Sequence, residues 1–376
     1  MAAVALLASA CGGHGADAVP TRTRGPYLQL VTSRSATVVW DTSAPAPCTV
    51  RVAAAGAEPR SVVGRTATIC VVALDGLTPG TAYAYTVEAG PAAVAAPATF
   101  RTDDPARTTF SFAVVGDSGS GSPDQRAVAE RMLAAQPDFV LSTGDMVYEN
   151  GAAADFDGEF FAPYRELLAR VVFWPVLGNH DVRTAHGAPW REAFVTPANN
   201  PAHEEGYYSF DWGTAHVVVL DSNADASPGS PQGDFLDHDL SATSARWTFV
   251  AFHHAIYSTG TKHGSKLDLR AAIVPVLDRH RVDVVFNGHN HIYERTKPLR
   301  ADAVVEPGAG TVYVTTGGGG KELQGVGPPA EWTAHSERAF HFTRVAVDGD
   351  EIRLQMVRAD GSVGDDVAWR KASADR

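Results

Sequence analysis

Phe139-Val140-Leu141-Ser142-Thr143-Gly144-Asp145-Met146-Val147-Tyr148 is the stretch whose reading sets the architecture. An apolar run without alternation reads as a strand buried on both faces, and the Ser-Thr-Gly-Asp after it reads as the loop into which that strand opens. Asp145 is therefore expected at the carboxyl end of a central strand, where open α/β sheets assemble their sites. A carboxylate held there has two oxygens, enough to bridge two cations about 3.5–4 Å apart. Other metal-ligand side chains recur after other apolar runs of the chain.

Outward from this strand, apolar runs alternate with helical spacing. Phe110–Val115, Val171–Val176, His216–Leu220, Trp247–Phe252, Val282–Phe286 and Gly310–Thr316 read as strands, and Asp124–Gln136 and Leu267–His280 as helices. Phe340–Val347 and Glu351–Val357 read as closing hairpins. The alternation specifies an α/β domain, assigned to residues 108–376. Before it, short alternating strands such as Ala36–Asp41 and Ala82–Val87 specify a small all-β sandwich, assigned to residues 22–103, with Asp103–Arg107 as linker. Thr184–Glu205 and Asp221–Asp239 read as loops that shape substrate specificity. The run Gly317–Gly320 either lines a cleft or forms a flexible turn.

The 376 residues suffice for two domains, and 44% hydrophobic content supports ordinary cores. Against 31 Lys and Arg stand 43 Asp and Glu, a net charge of −12 that disfavours attachment to nucleic acid or anionic membrane through bulk charge. An anionic substrate would need positive charge supplied locally. Ala2–Ala10 is a short apolar run, too short to span a membrane, that ends at Cys11-Gly12-Gly13. Residues 1–20 are read as an export segment resembling a bacterial lipoprotein signal, with Cys11 the lipidated residue. No Lys or Arg precedes the run, and Leu7 stands four before the cysteine rather than three, so an ordinary secretory signal or an alanine-rich end is the alternative. With Cys11 set aside, Cys48 and Cys70 remain, either cross-linked in an exported protein or two buried thiols.

Five polar clusters directly follow strand runs: Gly116-Asp117-Ser118-Gly119, Gly144-Asp145 with Tyr148, Gly178-Asn179-His180-Asp181, Phe252-His253-His254 and Gly288-His289-Asn290-His291. Carboxylate, amide oxygen, imidazole and phenolate together suit borderline or hard cations, and glycines allow close backbone approach. One cluster alone is an ordinary turn or a strand-end histidine; five in sequence describe a two-metal centre. The first also resembles the nucleophile loop of trypsin-like serine hydrolases, but the rest of that fold is missing. His254 is read as supporting a ligand, and His216, in mid-strand, as packing.

The order Gly-Asp-x-Gly, Gly-Asp-x-x-Tyr, Gly-Asn-His-Asp, Val-x-x-His (Val250–His253) and Gly-His-x-His resembles the metallophosphoesterases. Tyr148, together with Tyr293-Glu294-Arg295, makes it similar to their purple acid phosphatase branch. The resemblance runs from about Gly25 and thins after Gly320. It implies a four-layer α/β/β/α sandwich behind a fibronectin type III-like module, the latter also suggested by Leu74–Tyr85 and Thr99–Thr102. It implies ferric iron held by Asp117, Asp145, Tyr148 and His291, and a divalent Zn, Mn or Fe held by Asp145, Asn179, His253 and His289. His180 would face the substrate, and His263 would correspond to a family histidine, although its loop, Tyr257–Gly264, departs from the plant pattern.

The activity implied is hydrolysis of small phosphate monoesters outside the cytoplasm, in a secreted, periplasmic or lipoprotein-anchored protein. Two cations would clamp the phosphoryl oxygens and acidify a water for in-line attack. No nucleic-acid partner is expected, and a membrane would be met only through a lipidated Cys11. The alternatives are a phosphodiesterase or nucleotidase of the same superfamily, or a cell-surface binding protein whose metal domain is vestigial.

Overall fold

The computed structural model describes residues 20–89 and 92–371. Residues 1–19, which hold Cys11 and nearly all of the expected export segment, lie outside the described residues. Among the described residues no helix is long and apolar enough to cross a membrane.

The alternating N-terminal sequence forms six antiparallel strands: β1 (Arg22–Gln29), β2 (Ser35–Ala54), β3 (Arg60–Asp75), β4 (Ala82–Ala89), β5 (Ala92–Ala93) and β6 (Ala98–Arg101). Two of them are far longer than the sequence suggests, because irregularities between Asp41 and Ala46 and between Pro47 and Thr49 bend the ribbon without ending it. β3 follows one side of β2, while β1 and β4 share the other. Cys70 is registered against Trp40, well before Cys48 in β2, yet the Cα atoms of Cys48 and Cys70 are 5.5 Å apart. The ribbon thus folds back on itself, and a buried Cys48–Cys70 disulfide closes it across the interior.

The rest of the chain runs β7 (Thr109–Val115), α1 (Pro123–Ala134), β8 (Phe139–Ser142), α2 (Arg165–Leu168), β9 (Val172–Trp174), α3 (Ala188–Ala193), β10 (Tyr208–Trp212), β11 (Ala215–Val219), α4 (Pro231–Ala242), β12 (Trp247–His254), α5 (Leu267–Arg279), β13 (Val284–Gly288), β14 (Tyr293–Thr296), β15 (Leu299–Arg300), β16 (Ala303–Val304), β17 (Val312–Thr316), β18 (Thr333–Glu337), β19 (His341–Asp348), β20 (Glu351–Arg358) and β21 (Val363–Arg370). One sheet has the order β21-β20-β19-β7-β8-β9 and the other β10-β11-β12-β13-β17-β14-β18. Strand periodicity explains how they stack. In β7, Phe110, Phe112 and Val114 point into the core between the sheets, while Ala113 and Val115 face the layer of α1. In β12, Trp247, Phe249 and Ala251 face the same inter-sheet core, while Val250 and Phe252 face α4 and α5. Two sheets face to face with helices outside give the expected four layers. At the centre Phe112 stacks on Phe139, ring centroids 4.5 Å apart, and meets Phe249 edge-on at 5.2 Å.

Several expectations need correction. Asp221–Asp239 is not all loop, because α4 begins at Pro231, with the Ser230 hydroxyl accepting from Gly233 N–H as an N-cap. Thr184–Glu205 contains α3 and turns inward: Trp190 and Phe194 are buried, and Tyr27 Oη donates to the Ala193 carbonyl. Gly317–Gly320 neither lines the cleft nor forms a loose turn. All four residues are buried, with Gly319 N–H donating to the Gly116 carbonyl and His341 N–H to that of Gly318. A further strand, β21, extends the closing hairpin.

Candidate metal centre

Parallel strands of both sheets deliver the expected ligands from their carboxyl ends. β7 leads to Asp117, β8 to Asp145 and Tyr148, β9 to Asn179 and His180, the end of β12 carries His253, and β13 leads to His289 and His291. Asp117, Asp145 and His289 occupy left-handed backbone (φ 55°, 53° and 68°). Such strain costs on the order of 1–3 kcal/mol per residue and persists only where surrounding structure enforces it. Here the Asp181 carboxylate, fully buried, accepts N–H bonds from Gly178 (2.9 Å), Asp145 (2.9 Å), Met146 (3.1 Å) and Val147 (3.3 Å), and so fixes the Asp145 loop. A Cβ on Gly178 would strike the Asp145 carboxylate, and one on Gly288 that of Asp117.

The seven expected donors converge in two groups. Tyr148 Oη lies 3.0 Å from Asp145 Oδ2, 3.2 Å from Asp117 Oδ1 and 3.2 Å from His291 Nε2. His253 Nε2 lies 3.0 Å from Asn179 Oδ1, 3.2 Å from His289 Nδ1 and 3.3 Å from Asp145 Oδ2. The groups meet at one atom, Asp145 Oδ2.

Hydrogen bonds set which ring nitrogens face inward. His253 Nδ1–H donates to the Thr143 carbonyl (2.8 Å) and His291 Nδ1–H to that of Glu322 (2.7 Å), leaving each Nε2 lone pair aimed at the centre. His254 supports from behind, its Nδ1 bonded to Ser222 Oγ at 2.8 Å and its ring 4.5 Å from that of His289. Burial, then the neighbouring imidazoles, holds His289 well below its ordinary pKa; burial likewise drops His291 to about 4. Both rings are therefore neutral and able to ligate.

This donor set fits a cation pair, because inward-facing lone pairs outnumber the protons between them. Without cations, only protons can relieve the crowding. Burial opposes charge on His253, but the Asp145 carboxylate outweighs it and lifts His253 to about 9, while burial first and Asp145 next push Asp117 well above the carboxylate range. One oxygen each of Asp117 and Asp145 and a nitrogen of His253 lie within 4.8 Å of one another.

Above the donors opens a cleft of about 660 Å³ lined by Glu149, His180, Arg183, Lys262, His263 and Lys321 among others. His180 Nδ1 donates to the Glu149 carbonyl (2.7 Å), which directs Nε2 toward Arg183 Nη2 (3.3 Å). Burial, and less strongly this guanidinium, lower the His180 pKa. His263 stands across the cleft, its ring 4.0 Å from that of His289. Its loop is tied down by Glu294, 1% exposed, whose carboxylate accepts from Thr259 N–H (2.6 Å) and Thr259 Oγ1 (2.8 Å). Sequence alone gives no role to Asp181, Glu294, Arg183, Lys262 or Lys321. Only Asp181 and Glu294 carried a signal, as polar residues inside motifs already singled out.

Residues 110–293 match the family model of the calcineurin-like phosphoesterases. Residues 310–366 match that of the iron/zinc purple acid phosphatase-like protein C, well past Gly320, and residues 21–106 match a domain of unknown function (DUF7800). Purple acid phosphatase 21 of Arabidopsis thaliana is 32% identical over 231 residues, 57% of this chain and 51% of that protein; the chain thus spans about half the length of this relative. A nucleotide pyrophosphatase/phosphodiesterase of Hordeum vulgare is 28% identical over 262 residues, 61% of this chain and 70% of that protein. Among solved structures, the purple acid phosphatase PPD1 from yellow lupin (Lupinus luteus) seeds superposes with a TM-score of 0.85 over 93% of this chain and 74% of that one, at 20% identity.

Proposed function

The chain belongs to the calcineurin-like phosphoesterases, on their purple acid phosphatase branch, and from that premise we propose that it hydrolyses small phosphate monoesters outside the cytoplasm with a metal pair that includes ferric iron. The observation that carries this reading is the meeting of two donor groups at Asp145 Oδ2. Asp117, Asp145, Tyr148 and His291 would hold the iron, and Asp145, Asn179, His253 and His289 the divalent ion. Lewis-acid charge on the phosphoryl oxygens and an acidified attacking water are what the pair supplies when bound.

The chain's own residues do the rest. His180, fixed through Nδ1 on the Glu149 carbonyl, presents Nε2 to the cleft, where it would give a proton to the departing ester oxygen. Burial and the Arg183 guanidinium lower its proton affinity, so Nε2 carries the proton this role needs only in an acidic medium, and the hydrolysis of poor leaving groups is expected to fall as pH rises. His263, from the opposite wall, would orient the phosphoryl group. Arg183, Lys262 and Lys321 supply the local positive charge that a chain of net charge −12 needs to attract an anionic ester.

A phosphodiester or nucleotide substrate is the second reading, favoured by the name of the barley relative. The convergence of the seven donor side chains speaks against a vestigial metal domain. We take residues 22–103 as a separate fibronectin-like module and 108–376 as the catalytic domain. The buried Cys48–Cys70 disulfide agrees with an exported protein. The test is elemental analysis with turnover of a panel of mono- and diesters. Two metals per chain and monoester turnover are expected, and Asp145→Asn should weaken both sites together. One metal or none after reconstitution would sink the proposal.

A further inference from the structure

Lysine is scarce in this chain: of 31 Lys and Arg residues five are lysines, and two of those five, Lys262 and Lys321, line the metal cleft beside Arg183. The three cations arrive on separate loops, after β9, β12 and β17. Asp117, Asp145, Tyr148, His253 and His291 are buried, whereas Arg183 and Lys262 are exposed. The positive groups therefore form a rim above the metal donors, where the leaving part of a bound ester would project.

Lys321 is the member of this rim whose position is fixed from several sides. Its backbone N–H donates to the Asp117 carbonyl (2.9 Å), and its ammonium lies 4.4 Å above the Tyr148 ring and 2.5 Å from Glu149 Oε1. The partner is lightly held, because the Glu149 side chain is 61% exposed, and ion pairs in contact with water are weak. The main chain of Glu149 is anchored separately, its carbonyl accepting from His180 Nδ1 and Arg183 Nη1 (3.0 Å). The carboxylate can leave the ammonium without disturbing that anchor. An anion entering the cleft would compete for the same charge.

We propose that Lys321, paired with Glu149 until substrate enters, is a specificity-determining residue that binds a second anionic group on the substrate, so that favoured esters carry a phosphate or carboxylate on the leaving side. The inference rests on the phosphoester reading above and narrows its substrate class. An ammonium suits the task, since it is a compact point charge with three rotatable donors that can pass from one oxygen partner to another, whereas a guanidinium favours a fixed planar partner.

Glycerol 3-phosphate and 3-phosphoglycerate are similar in size and differ by one carboxylate, so the ratio of their kcat/KM values with metal-loaded protein reads the second charge. The wild type is expected to prefer 3-phosphoglycerate. Lys321→Ala should cut that preference about tenfold, the lower end of what a hydrogen bond to a charged group contributes, chiefly through KM and with metal content unchanged. Lys321→Arg should recover part of it, and Glu149→Gln, which frees the ammonium, should raise it. Equal turnover of both esters by the wild type, an equal loss on both in Lys321→Ala, or a lower preference in Glu149→Gln would overturn the inference and leave the phosphatase reading standing. Failure to hydrolyse either ester or nitrophenyl phosphate would overturn both.

Discussion

Replacing Asp181 by Asn keeps its shape but turns one of two acceptor oxygens into an NH₂ group facing main-chain donors. Because four N–H groups converge on that buried carboxylate, Asp181→Asn should destabilise the metal-free protein by about 1–3 kcal/mol, read from a lower urea midpoint. An unchanged midpoint would mean that the Asp145 loop is held by something else. Tyr148 makes a spectroscopic prediction. A phenolate on ferric iron absorbs visible light, so the oxidised, iron-loaded protein should be purple to pink, and Tyr148→Phe should bleach it while retaining much of its metal. A colourless wild type under those conditions would remove Tyr148 from the ligand set. The donor side chains that converge were legible in the sequence because each follows an apolar run and is of a recognised donor type. Asp181 stands inside one of those motifs, but its role is hidden because its partners are backbone amides, which leave no mark in a sequence, and Lys321 follows four glycines whose path only packing decides.

By sequence His216 is a packing residue within a strand, but the structure gives it an ionic role that links three elements. It sits in β11 with Nδ1 2.7 Å from Asp211 in β10 and Nε2 2.7 Å from Asp239 in α4. Burial opposes its charge, but the hydrogen bonds to the two carboxylates outweigh burial and raise its pKa to about 9. A folded pKa above the unfolded value near 6.5 adds stability that is complete below about pH 6.5 and is lost as pH rises through about 9, on the order of 3 kcal/mol in all. Denaturant midpoints at fixed metal content should fall across that window, and His216→Gln should be less stable at pH 6 with the slope removed. A flat wild-type profile would refute the charge on His216. The same strand shows what periodicity can and cannot supply, since the apolar neighbours of His216 announced β11 but nothing in the pattern named its partners. α4 was missed because the Gly, Pro and Asp of Gly229–Asp234 mimic a loop, though Ser230-Pro231 is also a helix-start signal. β21 was missed because Gly364-Asp365-Asp366 interrupts its apolar residues.

The N-terminal strands share a buried core with the α/β layers. Tyr27 and Val39 belong to the same buried cluster as Trp190 and Phe194, Tyr85 Oη donates to the Ala169 carbonyl, and Asp103 accepts from Gly213 N–H. Reducing the Cys48–Cys70 bond, or making the Cys48→Ser/Cys70→Ser pair, should cost about 3 kcal/mol on chain-entropy grounds and lower the unfolding midpoint of the module. Thiol counting on unfolded, unreduced protein that found both cysteines free would refute the bond. At the scale of the whole chain the most consequential pairing is β7 with β19, which sets Thr109 beside Asp348. The strand that leads to Asp117 is thus completed by one 239 residues further along the chain. Until the ribosome has passed β19, β7 has an open edge, and its long-range pairing makes closure slow. The sheet beneath the candidate centre is therefore finished only after β19 has emerged, and a chain truncated before residue 341 would expose an unpaired, aggregation-prone strand.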